Sequence, residues 1–163
     1  MGELDGKVAV ITGSGRGIGE AAARKLAANG ARIVVSDIDG DVAQKVASEV
    51  GGVAHVGDLV TPGACDKLID AAIESFGQLD IVVNNAGVHR DAPLDEITDE
   101  QTRMTAHLPD AARQAVAQLI PLGRGATPEE AADGIYYLCS PGSNYVHGQV
   151  LAVSGGITFG MAS

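Results

Sequence analysis

The sequence predicts an α/β domain built on a parallel sheet with helices on its faces, and three observations carry that expectation. Apolar runs such as Val8–Ile11, the stretch within Arg32–Ser36 and the stretch within Asp80–Asn84 read as strands buried on both faces, the habit of parallel sheets. Helix-forming segments alternate with them and close on glycine, as Glu20–Asn29 does before Gly30. Hydrophobic residues make up 45% of the chain and aromatics only 3%, so the core must be made of Ala, Val, Ile and Leu, which suits helices packed closely on such a sheet.

The first strand runs into four glycines, Gly13, Gly15, Gly17 and Gly19, and the helix follows at once. Strand, glycine turn and helix N-terminus together form a phosphate site, because glycine lets the backbone approach a ligand and the free N–H groups face the anion. The spacing narrows the choice. A P-loop would close on Gly-Lys-Ser/Thr, and this turn closes on Gly17-Ile18-Gly19. The general dinucleotide pattern G-x-G-x-x-G fails too, since Ile18 stands where glycine is needed. What fits is Thr-Gly-x-x-x-Gly-Ile-Gly over Thr12–Gly19.

The second strand ends at Asp37, eighteen residues past Gly19. A carboxylate at about that distance holds an adenosine ribose and would repel the extra phosphate of NADP, so the expected cofactor is NAD, with NADP disfavoured. Asp39 is then free to cap the next helix, whose Val42, Val46 and Val50 make one face before Gly51-Gly52 stops it. Val53–Gly57 is a third strand, followed by Asp58-Leu59. Thr61-Pro62 opens a helix with Cys65, Leu68, Ile69, Ala72, Ile73 and Phe76 as its buried stripe. The fourth strand, Asp80–Asn84, delivers Asn85, Ala86 and Gly87 to the sheet's carboxyl edge, where ligands bind in open α/β sheets.

The pattern Thr12–Gly19, together with Asn84-Asn85-Ala86-Gly87 after a later strand, resembles the short-chain dehydrogenase/reductase family. Val88–Leu94 looks most like its 3-oxoacyl-acyl-carrier-protein reductase branch. The resemblance implies a Rossmann-like sheet and an NAD site formed by Gly13, Ser14, Arg16, Gly17, Ile18 and Gly19, with Asp58 and Leu59 flanking the adenine. Asn85, Ala86 and Gly87 complete that set.

After Leu94 the resemblance breaks. Thr98–Gln101 has the form of a capping box, yet no apolar helix follows it; instead come Thr102–Leu108 and the stop at Pro109. In the family a Thr-x-Met sequence such as Thr102-Arg-Met104 belongs far downstream of such a box. An apparent deletion junction therefore lies near 101–102, having removed roughly 60 to 90 residues at about 30 or more per strand–helix–strand unit. The pattern then resumes. Ala111–Ile120 reads as a helix with Ala112, Val116, Leu119 and Ile120 inward. Thr127-Pro128-Glu129-Glu130 combines cap, proline and capping-box acid before Ala131, Ile135, Leu138 and Cys139 on the buried side. Gln149–Val153 reads as a last strand, expected beside the fourth, giving a shortened sheet of about five strands ordered 3-2-1-4-last within one domain, 1–163.

Family chemistry needs a tyrosine that protonates the substrate oxygen and a lysine four residues later that lowers its pKa; unaided phenol, with a pKa near 10, is a poor partner at neutral pH. Tyr136, Tyr137 and Tyr145 are followed four residues on by Ser140, Pro141 and Gln149, and the last lysine is Lys67. No catalytic residue is therefore assigned. The expectation is an NAD(H)-binding protein of impaired activity; the alternative is an active NAD-dependent enzyme reducing a ketone or oxidising a secondary alcohol. His55, His89, His107 and His147 lack paired ligand spacing, so no metal is expected, and Cys65 and Cys139 read as buried small apolar residues. The net charge of −10 without a basic run argues against nucleic acid or an anionic membrane. With no membrane-length apolar stretch and no signal-peptide layout, the expected location is the cytoplasm. A homo-oligomer through the remaining C-terminal helix and last strand is the expected protein partner.

Overall fold

A computed structural model describes residues 2–87, 114 and 117–157. Among the described residues of its larger part, four strands and four α-helices alternate as β1 (Val8–Thr12), α1 (Gly17–Ala28), β2 (Arg32–Asp37), α2 (Gly40–Val50), β3 (Val53–Val56), α3 (Ala64–Phe76), β4 (Ile81–Val83) and α4 (Pro128–Cys139). The sheet is parallel throughout, in the order β3-β2-β1-β4. Its register is continuous: Val10 lies between Val34 and Val82, and Val34 pairs on with Val53. The chain divides into two compact units, one of residues 1–86 with 127–151 and one of residues 87–126 with 152–163.

The first unit has two apolar layers, one on each face of the sheet. Ala9, Ile11, Ile33 and Val35 point to one face and bury Ala22, Ala23 and Leu26 of α1, Ala43, Val46 and Ala47 of α2, and Ala132 of α4. Val8, Val10 and Val34 point to the other face and bury Leu68 and Ala72 of α3. Alanines dominate the helix side of the first layer, which lets helices with few large side chains pack close to the strands. Asp39 caps α2 as expected, its carboxylate accepting from the amides of Asp41 and Val42. Thr127 and Glu130 make the reciprocal capping box of α4, with Pro128 in the first turn. In the second unit residues 117–119 are helical, and the Leu122 amide bonds the Gly155 carbonyl at 3.2 Å. Among the described residues no helix is long and apolar enough to cross a membrane.

Several expectations need correction. Gln149–Val153 is not a strand: the residues have no ladder partner among the described residues, and Val150 is 96% exposed. An extended segment gains little unless both its backbone hydrogen bonds and its side chains find neighbours, and β4, only three residues long, offers a short edge. Ile69 and Ile73 are 36% and 46% exposed, and Cys65 is also exposed. They lie on the flank of α3 opposite Lys67, and no element among the described residues covers them. Helix α3 begins at Ala64 after Gly63, not at Thr61-Pro62. The inner face of α4 is Ala132, Ile135, Tyr136 and Cys139, one residue out of phase with the expected Ala131 and Leu138. Burial pushes the Cys139 thiol up, which makes it a packing residue. Leu119 is 73% exposed. The junction near 101–102, together with Ala112 and Val116, lies outside the described residues.

Candidate nucleotide site

The glycine turn leaves β1 at Thr12 and is stapled to β2 from beneath. Ser14, fully buried, donates its hydroxyl to the Ile11 carbonyl at 2.6 Å and accepts the Ser36 amide at 3.0 Å; its own amide donates to the Ser36 carbonyl. Its hydroxyl and amide are thus spent inside the fold, and Ser14 shapes the turn from below. Gly15 follows against Asp37, donating its amide to Oδ2 at 2.9 Å, while the Asp39 amide reaches Oδ1 at 3.1 Å. Helix α1 then starts at Gly17, whose φ of +58° suits glycine and whose missing side chain leaves open space in front of the backbone. The amides of Gly17, Ile18 and Gly19 fall in the first turn, where helix geometry supplies no acceptor, and Arg16 makes no side-chain cap. The positive end of α1 is consequently open to an anion.

The second sequence motif interlocks with this turn. Asn85 donates its side-chain amide to the carbonyls of Thr12 and Gly13 at 2.9 and 3.0 Å. Thr12 Oγ1 accepts the amides of Asn85 and Ala86 at 3.0 and 2.9 Å and donates to the Val83 carbonyl at 3.3 Å, which uses all three of its hydrogen-bonding positions. A Cβ at Gly19 would collide with the Gly13 carbonyl and the Asn85 amide, so the helix can sit this close only with glycine there. The role of Thr12 is one that motif spacing conceals, because the spacing places it at the start of the glycine motif without showing the amides it accepts.

Asp37 ends β2 and Asp58 follows β3, joined through the Gly57 amide, which donates to the Asp37 carbonyl at 3.2 Å. Asp58 is exposed and accepts the Val60 amide; Leu59 leans on the α3-side core. Ile18, 44% exposed, stands on the first turn of α1. Hydrogen bonds thus bring together Gly13–Arg16, Asp37, Asn85 and Ala86; Asp58 and Leu59 occupy the neighbouring strand end, and Gly87 belongs to the second unit. Ser36 Oγ is buried without a partner. A hollow lined by Gly17, Glu20, Ala21, Arg24, Pro128 and Glu129 adjoins the first turns of α1 and α4, but its two glutamates make it a poor anion seat.

The tyrosines lie elsewhere. Tyr136 Oη donates to Glu3 at 2.6 Å, and that bond raises the phenol's pKa, the reverse of what a proton donor at neutral pH requires. Lys25 Nζ lies 5.6 Å from the Tyr136 ring but is paired with Asp133 at 2.6 Å. Glu3 adjoins Leu4, whose amide bonds the Asn29 carbonyl, so this cluster lies at the end of α1 away from the glycine turn. Tyr145 is fully exposed and Tyr137 is 39% exposed. Burial, with the charge of Lys67, holds the His55 imidazole below its ordinary range. Among the described residues no group of side chains could hold a metal ion.

An uncharacterized oxidoreductase of Methylorubrum extorquens is 39% identical over 109 residues, covering 63% of this chain and 44% of that protein. The chain spans less than half the length of the full-length relatives of this kind. A hydroxysteroid dehydrogenase from Escherichia coli superposes with a TM-score of 0.82 at 26% identity, over 96% of this chain and 98% of that one. A 7α-hydroxysteroid dehydrogenase complexed with NADH and 7-oxo glycochenodeoxycholic acid gives 0.78 at 26% identity, over 94% of each chain. The model described as enoyl-(acyl carrier protein) reductase matches residues 101–158. The short chain dehydrogenase model matches residues 7–113, taking in both interlocked motifs, and the chain belongs to the short-chain dehydrogenase/reductase family.

Proposed function

We propose that this chain binds NAD(H) through its first unit and is a poor catalyst of the oxidoreductase chemistry of its relatives. The observation that carries the reading is the Asp37 carboxylate at the end of β2, held against the glycine turn by the Gly15 amide. Among the described residues each carboxylate oxygen accepts one hydrogen bond, which leaves lone pairs for two ribose hydroxyls. The amides of Gly17, Ile18 and Gly19 would hold the pyrophosphate, Asp58 and Leu59 would border the adenine, and Asn85 and Ala86 would lie toward the nicotinamide. Room in front of Gly17 and the open helix end fit such a group. The NADH-bound relative supports the same assignment. When bound, the nicotinamide supplies a hydride donor or acceptor; the chain's own part is to bind, orient and repel the extra phosphate of NADP through Asp37.

Impaired catalysis rests on the missing Tyr-x-x-x-Lys sequence and on the commitment of Tyr136 to Glu3. An internal deletion near 101–102 within a single 1–163 domain belongs to this reading, and so does self-association through α4 and the 149–153 segment, which light scattering would test. Loss of general acid catalysis should lower turnover about 10² to 10⁴-fold, while proximity to a bound nicotinamide still supports a residual rate. Calorimetry should give tighter binding of NADH than of NADPH, with the preference relaxed in Asp37→Ala; tighter NADPH binding would overturn the assignment. Steady-state NADH oxidation with a ketone panel that includes a 3-oxoacyl thioester tests the rest. Turnover within tenfold of an intact relative, abolished by Tyr136→Phe, Tyr137→Phe or Tyr145→Phe, would favour the active enzyme instead.

A further inference from the structure

Beside Asp37, the turn residue Arg16 is paired with Asp39: its Nη2 donates to Oδ2 at 2.6 Å. The other oxygen of Asp39 is occupied by capping α2, and its backbone amide is the second donor to Asp37. Three charges are thereby linked, two negative and one positive, at the edge where the adenosine ribose would lie. A guanidinium in this place has the donor geometry for a phosphate monoester. Here it already faces a carboxylate, and the cluster as a whole keeps one negative charge.

We propose that Asp39 is a specificity-determining residue that withholds Arg16 from the 2′-phosphate of NADP(H), so that discrimination rests on two carboxylates rather than on Asp37 alone. This deepens the NAD(H) reading above and rests on it. The pair is exposed, with side-chain accessibilities of 57% and 37%, so the guanidinium can be reached from solvent. Arg16 is consequently available to a dianion once the competing carboxylate is gone. Asp39 is also the N-cap of α2, and asparagine caps nearly as well as aspartate, so the charge can be removed while the cap is kept.

The test is calorimetric titration of NADH and NADPH into the full chain and its Asp39→Asn, Arg16→Met and double variants, with urea midpoints as the fold control. Asp39→Asn should tighten NADPH binding about tenfold, as expected for removing one negative charge near a phosphate dianion, and leave NADH within about threefold. Adding Arg16→Met should abolish that gain, because the double variant restores the net charge of the native cluster without supplying a guanidinium. The proposal is overturned if Asp39→Asn leaves NADPH affinity unchanged, or if the gain survives loss of Arg16. NADH binding that still depends on Asp37 in that event would sink this inference alone; absence of any dinucleotide binding to the native chain would overturn both. Should Asp39→Asn fold poorly, Asp39→Ser, a second good cap, replaces it.

Discussion

Strands β1 and β4 are hydrogen-bonded neighbours with closely similar apolar sequences, Val-Ala-Val-Ile-Thr and Ile-Val-Val, yet every residue of β1 is buried while β4 is half exposed. The contrast is sharpest at the paired residues Val10 and Val82, one with no exposure and one 48% exposed. Chemistry and register are the same at the two positions. Only the surroundings differ: β1 lies between two strands and beneath helices on both faces, whereas β4 has no strand beyond it among the described residues. Ile69 and Ile73 of α3 are likewise partly exposed. An apolar pattern thus specifies which side of an element wants a neighbour, and the rest of the chain decides whether one is there.

The largest effect should come from the paired valines. Val10→Ala should cost about 2 kcal/mol, from lost burial and a cavity, and Val82→Ala less than about 0.5 kcal/mol, both read from urea unfolding. Equal costs would mean that β4 is covered after all. Next comes the tie between the strands. Thr12→Val keeps the shape but strips the amides of Asn85 and Ala86 of their acceptor, for an expected loss of about 1.5 kcal/mol together with weaker NADH binding. Thr127→Ala removes the capping box of α4 and should cost about 1 kcal/mol with no change in dinucleotide affinity. A matching loss of affinity would show that α4 supports the site.

The smallest effect concerns pH. Asp80 joins the two strands at their other end: it accepts the Val8 amide at 2.9 Å and pairs with Lys7 at 3.1 Å. The Val8 bond foremost, then Lys7 and Gln78, hold its carboxyl below the ordinary range. A depressed folded pKa gives stability that is fully present above the unfolded value, near 3.9, and is lost as pH falls through the folded value. The stability gap between the native chain and Asp80→Asn should therefore stay constant from pH 7 to about 5 and close toward pH 3 and below. A gap that widened on acidification would reverse the assignment.

Much of the first unit was legible because its signals are local. Glycines punctuate the turn, Asp39 and Thr127 announce their helices, and unbroken apolar runs mark strands buried on both faces. Misreadings arose where a residue's role depends on distant partners. Ile69 and Gln149–Val153 carry the right pattern for burial, and nothing in the pattern tells whether a neighbour stands beside them. Within the candidate site, Asp37 could be placed by its distance from Gly19, but the two amides it binds could not. Ser14 reads as one more residue of a ligand turn until its hydroxyl is seen holding β2. Arg16 and Asp39 are 23 residues apart, a separation at which no spacing rule signals a pair.

The packing of α4 on α1 has a consequence for the order of events during synthesis. Tyr136 meets Glu3 across 133 residues of sequence, and Ala132 completes the layer that contains Ala22 and Leu26. When β4 leaves the ribosome, the nascent chain already holds the whole sheet and its glycine turn, but one side of its first helix is bare. Contacts of such long range are slow to form and vulnerable until they do. A ribosome stalled before Thr127 would present chaperones with an open apolar strip on α1, which the residues of α4 cover once they have emerged.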